Sequence, residues 1–395
     1  MRLKYSKFEV YTYLFFIFFF LTYINSRVTL KYVALILYQA YLIFLVKNKR
    51  YIKSKRCSIV PIIGIVISLI ISLLVNFSLS GMVKTISLID LLFFVYYLFP
   101  RAVKNASINE KQLIKIITDT LFITLAIAFL FYYNDTRLAT GRSNGIVIRH
   151  LFSFGEASIV GFLCFIEFSL SFFLLCENRI LIKKTVCLGK MAFSFYMAYL
   201  ANIRAGIYVM IVFVAYYIYM NFPKIKHRKI IGGFTIFFFI LFAGIYLFDM
   251  SLDFQRLDYL LSNRLSNYSR SITEVFLNNK VLFGMGSFRN SDVVNLAKIQ
   301  VDNNYIDIFY QYGLLVLLFF VSILVSIYKK IKSIIHITKE QHEYSIYDKF
   351  IEAYFISILV YSMVEKNLFS ISSALSVITF LLFFWYIEKA DNSLN

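Results

Sequence analysis

Charge is what this 395-residue chain has little of: 16% of its residues are charged, against 60% hydrophobic. A soluble globular domain carries about a quarter charged residues, so the balance argues against that class. Disorder is excluded, because 44 Phe and 30 Tyr are too many for a chain without a core. Cysteine is scarce as well. Cys57, Cys164, Cys176 and Cys187 lie in apolar runs or at their cytoplasmic ends, a scatter that predicts neither an external disulfide nor a metal site. The three prolines, Pro61, Pro100 and Pro223, stand at the edges of apolar runs. The paired Gly/Pro interruptions of many transporter helices are not evident, and no internal repeat or low-complexity linker stands out.

What is present is apolar sequence cut into similar lengths. Mean hydropathy is +0.72. Apolar runs fall near 9–24, 30–46, 58–79, 82–99, 116–133, 151–176, 185–201, 205–222, 230–250, 305–328, 350–366 and 368–388. A hydrocarbon core about 30 Å thick takes about 20 such residues per helix. The pattern predicts an all-α, polytopic membrane protein with about 12 transmembrane helices, 1–395 forming a single integral membrane domain. The first run follows Arg2, Lys4 and Lys7 without a small-residue cleavage site after it, so a retained anchor is expected.

Basic residues number 41 against 22 acidic ones, a formal net charge of +19. In a soluble protein that surplus points to nucleic acid. Here its placement points to topology, and no nucleic-acid partner is expected. With the N-terminus inside, 26 basic residues fall in cytoplasmic segments, including the run Lys47–Arg56, and 14 in external ones. That is the positive-inside pattern, with both termini cytoplasmic.

Residues 251–304 form the one long extramembrane segment, an extracytoplasmic loop in this topology. Within it Leu257, Leu260, Leu261, Leu265, Tyr268, Ile272, Val275 and Phe276 recur at three- and four-residue steps. Arg256, Asn263, Asn267, Arg270 and Glu274 occupy the opposite stripe, with Arg264 beside it. The spacing predicts an amphipathic helix on the outer face, apolar side down. The outer face also favours arginine: nine Arg against five Lys, where the inner side has six Arg against twenty Lys. Topology needs only positive charge, whereas arginine's planar fork binds phosphate bidentately. The asymmetry points to a phosphate-bearing anion. The plainer use of the same residues is contact with anionic lipid or helix ends.

Three clusters are candidates for that ligand. The first is Arg137…Gly141-Arg142-Ser143-Asn144-Gly145…Arg149-His150, leading into a run that carries Glu156. Six residues beyond His150 is about 9 Å along a helix, a shallow membrane position where an ionisable group is a functional candidate or an arginine's partner. The second is Asn202-Ile203-Arg204-Ala205-Gly206, a turn so short that Arg204 is pinned at the surface, as a ligand contact or a snorkelling side chain. The third runs from Arg264 and Arg270 through Phe283-Gly284-Met285-Gly286-Ser287 to Asp302-Asn303-Asn304-Tyr305. Gly-Met-Gly is a turn that lets backbone approach a ligand. Capping of the next span accounts for one of Asp302, Asn303 and Asn304, not all three.

In this order the motifs resemble those of the Wzy-type polysaccharide polymerases, relatives of the O-antigen ligases. Arg264…Tyr268…Arg270…Gly284-Met285-Gly286…Asp302-Asn303-Asn304-Tyr305…Tyr312-Gly313 is similar to the family's succession of arginine, aromatic, Gly-x-Gly turn and an acidic or His residue before Asn-x-Tyr. Arg204-Ala205-Gly206 matches a family turn, with Ile203 in place of its serine. Arg142…Gly145…His150…Gly155 matches a further stretch that here lacks its Pro-Asn. Asp302-Asn303, where ligases commonly have His-Asn, favours polymerase over ligase. The resemblance covers residues 137–313 in motif and the whole chain in topology.

The resemblance implies a chemistry. A glycan on undecaprenyl pyrophosphate is transferred to a second lipid-linked repeat unit, building a capsule, O-antigen or exopolysaccharide at the outer face of the bacterial cytoplasmic membrane. Pyrophosphate is already a good leaving group, so no cofactor or nucleotide is expected, and the lack of an external metal-ligand cluster predicts metal-independent transfer. Arg142, Arg204, Arg264 and Arg270, with Asn303 and Tyr305, would bind the pyrophosphate-linked substrate. Asp302, Glu156 or His150 would take the proton of the attacking hydroxyl. Expected partners are the undecaprenyl-pyrophosphate-linked oligosaccharide, membrane lipid, a flippase and a chain-length regulator. The rival readings are a ligase and a lipid-linked oligosaccharide flippase, which would keep its cations in a central cavity.

Overall fold

The computed structural model describes residues 6–24, 28–47, 59–106, 108–140, 146–221, 264–286, 303–340, 345–366, 368–369 and 373–393. Its helices are α1 (Lys7–Leu21), α2 (Val28–Lys47), α3 (Ile59–Val75), α4 (Leu79–Leu92), α5 (Phe99–Ala106), α6 (Glu110–Tyr132), α7 (Ala157–Glu177), α8 (Leu181–Leu200), α9 (Arg204–Asn221), α10 (Arg264–Leu277), α11 (Asn304–Glu340), α12 (Ile346–Val364) and α13 (Ala374–Ser393). Eleven of the twelve apolar runs coincide with helices, and the ninth, 230–250, lies outside the described residues. Six helical stretches among the described residues are long and apolar enough to cross a membrane: Leu30–Lys47, Gly81–Ala106, Glu110–Tyr132, Ala157–Glu177, Arg204–Asn221 and Asn304–Glu340.

Burial follows the same logic. Leu37, Phe44, Leu74, Leu130 and Phe131 are exposed, whereas Glu167, Lys190 and Glu352 are buried. Water would not stabilise that arrangement, but a hydrocarbon solvent does. Helix starts are written into the sequence: Ser6 with Glu9, Asn109 with Gln112 and Ser345 with Asp348 form reciprocal capping boxes.

Pro100 departs from the edge position expected of it. It lies inside a continuous helical stretch in which a π turn, Phe93–Leu98, joins α4 to α5. Proline lacks an N–H and crowds the carbonyl four residues back. The wider turn, where Phe99 N–H donates to Phe94 O, absorbs that mismatch.

Contacts between helix termini sort them into two ends. At one, Lys389 of α13 pairs with Glu110 at the start of α6. Lys111 donates to Glu177 O at the end of α7 (3.3 Å), and Lys349 of α12 to Asn221 Oδ1 at the end of α9 (2.7 Å). At the other, Tyr361 near the end of α12 donates to Ser158 O at the start of α7 (3.5 Å), and Asn303 donates to Met363 O (2.9 Å). These helices therefore thread back and forth between a lysine end and an arginine end. Phe165 stacks on Tyr354 and Tyr361 at 5.6 and 6.1 Å and ties α7 to α12, each such pair contributing about 0.5–1.5 kcal/mol beyond simple burial.

The all-α expectation holds except at one hairpin. β1 (Thr136–Thr140) pairs antiparallel with β2 (Ile146–His150), where the β-branched run Ile146-Val147-Ile148 favours a pleated backbone. The missing helix interruption also has a counterpart: α11 breaks at Gly313 (φ 85°, ψ −179°). Leu314 to Glu340 is about 40 Å of helix at 1.5 Å per residue, enough to span alone. The break therefore sits near the arginine-end surface rather than at mid-membrane.

Candidate substrate site at the arginine end

The stretch after the hairpin decides where His150 and Glu156 stand. Phe152 and Ser153 adopt left-handed φ values of 49° and 60°, and Gly155 has φ 78°. An L-residue pays for that conformation, and here the complete burial of Phe152 and Phe154 offsets it. Asp135 fixes the same turn: its Oδ2 accepts Ser153 N–H (2.6 Å) and its carbonyl accepts Leu151 N–H (2.8 Å). Residues 151–156 are therefore not the first turns of a helix. Glu156 is the exposed N-cap residue of α7, with Ser158 Oγ donating to it at 3.3 Å, rather than a group sunk 9 Å into the membrane.

His150 Nδ1 lies 2.8 Å from Tyr133 O, and its ring packs on Tyr133 (4.6 Å) and Phe152 (5.7 Å). A carbonyl only accepts, so Nδ1 carries the hydrogen and Nε2 is left as the basic nitrogen of the neutral ring. Across the hairpin Arg137 stands opposite Arg149, both exposed. Like charges facing each other on a ladder are destabilising, so an anion between them would relieve a standing cost. The sequence motif named Arg149 and Arg137 only as neighbours of Arg142. Their pairing required the hairpin to be known.

Arg204 opens α9 and is exposed. Its turn is seated by close packing: a Cβ on Gly161 would lie 2.7 Å from Ile203 Cγ2, and one on Gly206 3.1 Å from Gly161 O. Ile203 thus fills the notch that glycine leaves on α7, which is a packing reason for isoleucine at this position. Small residues permit the same close approach between membrane helices generally.

Arg264, at the start of α10, pairs with Glu365 across 3.6 Å. Glu365 is 7% exposed and forms the C-cap of α12. Sequence reading missed this carboxylate because Glu365 falls at the end of the apolar run 350–366, far along the chain from Arg264. The amphipathic stripe is also divided. Val275 and Ser271 are buried, while Ile272 and Phe276 face outward. From the polar stripe, Glu274 accepts from Tyr310 of α11 at 3.2 Å and Arg264 reaches Glu365, while Arg270 stays exposed. The helix's polar contacts to α11 and Glu365 set its rotation, with the described part of the apolar stripe partly buried. Its predicted part before residue 264 lies outside the described residues.

Gly284-Met285-Gly286 brings backbone close to backbone, not to an open ligand cleft. Met285 N–H donates to Tyr310 O (2.8 Å) and Gly286 N–H to Gln311 O (3.0 Å), while Leu314 N–H donates to Val281 O (2.8 Å). These bonds satisfy the groups freed by the break at Gly313. Ser72 Oγ of α3 and Asn76 Nδ2 just after it hold the same segment through Phe283 O (2.6 Å) and Gly284 O (2.9 Å), and Lys280 Nζ donates to Asn76 Oδ1 (2.9 Å).

Asn303 is the cap expected before this span. Its Oδ1 accepts Tyr305 and Ile306 N–H (2.9 and 3.1 Å), while its amide holds Met363 O. Asn304 is 1% exposed, and its amide nitrogen has no hydrogen-bond partner. Tyr305 is half-buried with its ring 6.4 Å from Phe320. Asp302 and Arg142 lie outside the described residues. Of the nine predicted site residues the other seven, His150, Glu156, Arg204, Arg264, Arg270, Asn303 and Tyr305, all fall on the elements that meet at the arginine end. Compared with known proteins, the chain matches no protein-family model and no curated protein.

Proposed function

We propose that the protein polymerises lipid-pyrophosphate-linked oligosaccharide repeat units into a surface polysaccharide, working at the outer face of a bacterial cytoplasmic membrane. In this reading the chain crosses the bilayer 12 times, the arginine end faces outward, and residues 251–304 form its large external loop. The observation that carries the reading is the arginine end itself. Arg264 held by buried Glu365, the facing pair Arg137 and Arg149, and the pinned Arg204 share one end with a histidine whose Nε2 is basic. Such an end suits a pyrophosphate and a hydroxyl nucleophile together.

Arg264, Arg204 and Arg270 would bind the pyrophosphate and stabilise the charge that develops as it leaves with its lipid. Glu365 orients Arg264. His150, Glu156 or Asp302 would accept the proton as the acceptor hydroxyl oxygen bonds to the sugar carbon of the donor. The test is Arg264→Lys and Arg270→Lys, which keep charge and lose bidentate geometry. Polymerisation by purified protein should fall at least about tenfold in each, the equivalent of about 1.4 kcal/mol of transition-state binding. Full activity in both would remove the arginine clamp from the reading.

A further inference from the structure

The middle of the bundle holds charge that the arginine-end site does not use. Glu167, about 15 Å along α7, is fully buried. Ser171 Oγ donates to its Oε1 at 3.0 Å, and its buried Oε2 has no hydrogen-bond partner. On α8, Lys190 donates to Asp119 Oδ1 of α6 at 2.7 Å, and Tyr13 of α1 donates to Asp119 Oδ2 at 3.4 Å. Lys190 and Asp119 lie about 13 Å along their own helices, and both of their charges act on Glu167. Cys164 on α7 and Cys187 on α8 are the other titratable groups that sense it. α9 carries Arg204 only at its arginine-end start. α12 and α13 hold Asp348, Lys349, Glu352, Glu388, Lys389 and Asp391 toward the lysine end, and α12 otherwise meets α7 through Tyr354 and Tyr361.

Lys115 of α6, one turn before Asp119, is exposed, so in the interior two carboxylates and one ammonium leave one negative charge, at a depth where an isolated charge costs several kcal/mol. Among the described residues no three His, Cys, Asp or Glu side chains gather to hold a metal ion. We propose that this cluster is an intramembrane proton-binding site in which Glu167 and Asp119 share one proton and Lys190 pairs with whichever carboxylate is ionised. In one state Glu167 is the neutral acid and Lys190 pairs with Asp119, the pairing that the structure holds. Moving the proton from Glu167 to Asp119 leaves Glu167 as the carboxylate whose charge Lys190 offsets and Asp119 as the neutral acid. The cluster is neutral in both states. Asp119 and Lys190, with Tyr13, Ile17, Phe122 and Ile123, line an open, mostly apolar recess on the side of the bundle, whereas Glu167 is fully enclosed, so the Asp119 half is the more accessible of the two. The site stands apart from the polymerase reading and holds or fails independently of it.

Infrared spectroscopy of the full chain in lipid at neutral pH tests it, because a protonated carboxyl has a C=O stretch that a carboxylate lacks. Glu167→Gln and Asp119→Asn each leave one carboxylate for one lysine, so each variant should fold and each wild-type-minus-variant spectrum should show loss of one acid band. Lys190→Met should add a band, both carboxyls then being neutral. Retention of the band in Glu167→Gln or Asp119→Asn overturns the proposal. So does failure of both to fold, because each keeps the cluster neutral and close to its native shape.

Discussion

Removing Glu365 and removing Arg264 should have unequal effects, and the difference measures how the site is built. At 3.6 Å two unit charges attract by about 5 kcal/mol at an effective dielectric constant of 20. Desolvation cancels much of that in the intact pair, so the informative quantity is what each deletion leaves behind. Arg264→Gln removes one partner of a carboxylate whose side chain is 9% exposed, whereas Glu365→Gln removes one partner of a guanidinium whose side chain is 27% exposed and rehydrates more easily. The first should cost about 3–5 kcal/mol, the usual penalty for breaking a buried ion pair, and the second about 1–2 kcal/mol, the penalty for losing a bond to a group that water can reach. The double variant should be more stable than the sum of the two by about 1–3 kcal/mol. Equilibrium unfolding in mixed micelles measures all three, with fluorescence of the single tryptophan, buried Trp385 in α13, as the signal. Equal and strictly additive costs would refute the claim that Arg264 and Glu365 form one unit.

Three further outcomes follow from local geometry. Gly313→Ala places a Cβ against Leu282 O at φ 85°, so it should cost about 3 kcal/mol or more and release the 280–286 segment to proteolysis; unchanged stability and protease resistance would contradict the backbone lock. Asn303→Ala removes the cap of α11 and the tie to Met363, with an expected loss of about 1–2 kcal/mol in thermal unfolding, while Asn303→Asp should keep the cap and lose only the tie. Arg149→Glu replaces a like-charged cross-strand pair with Arg137, so it should stabilise the hairpin by up to about 1 kcal/mol while weakening turnover of an anionic substrate. Improved or unchanged turnover would take the hairpin out of the site.

The helices were legible because lipid selects long apolar runs, and their starts because Ser6-Glu9, Asn109-Gln112 and Ser345-Asp348 cap locally. The excess of arginine over lysine in the segments expected outside led to Arg204 and Arg264, which the structure places at one end of the bundle. What stayed hidden depends on partners far along the chain. Glu365 has meaning only beside Arg264, and Gly284-Met285-Gly286 only beside the broken turn of α11. The hairpin escaped because Thr136–Thr140 and Ile146–His150 are short and stand out for their arginines and histidine rather than for strand pairing. The shift of Glu156 from helix to cap arose from two buried phenylalanines, Phe152 and Phe154, that outweigh backbone preference.

The most direct measurement is to give the purified protein lipid-pyrophosphate-linked repeat units, without nucleotide and with a metal chelator, and to resolve the products by chain length. The polymerase reading predicts a ladder of multiples of the repeat unit, with free lipid pyrophosphate released at each transfer. Units that remain single, whether untouched or merely moved across the bilayer, would contradict it.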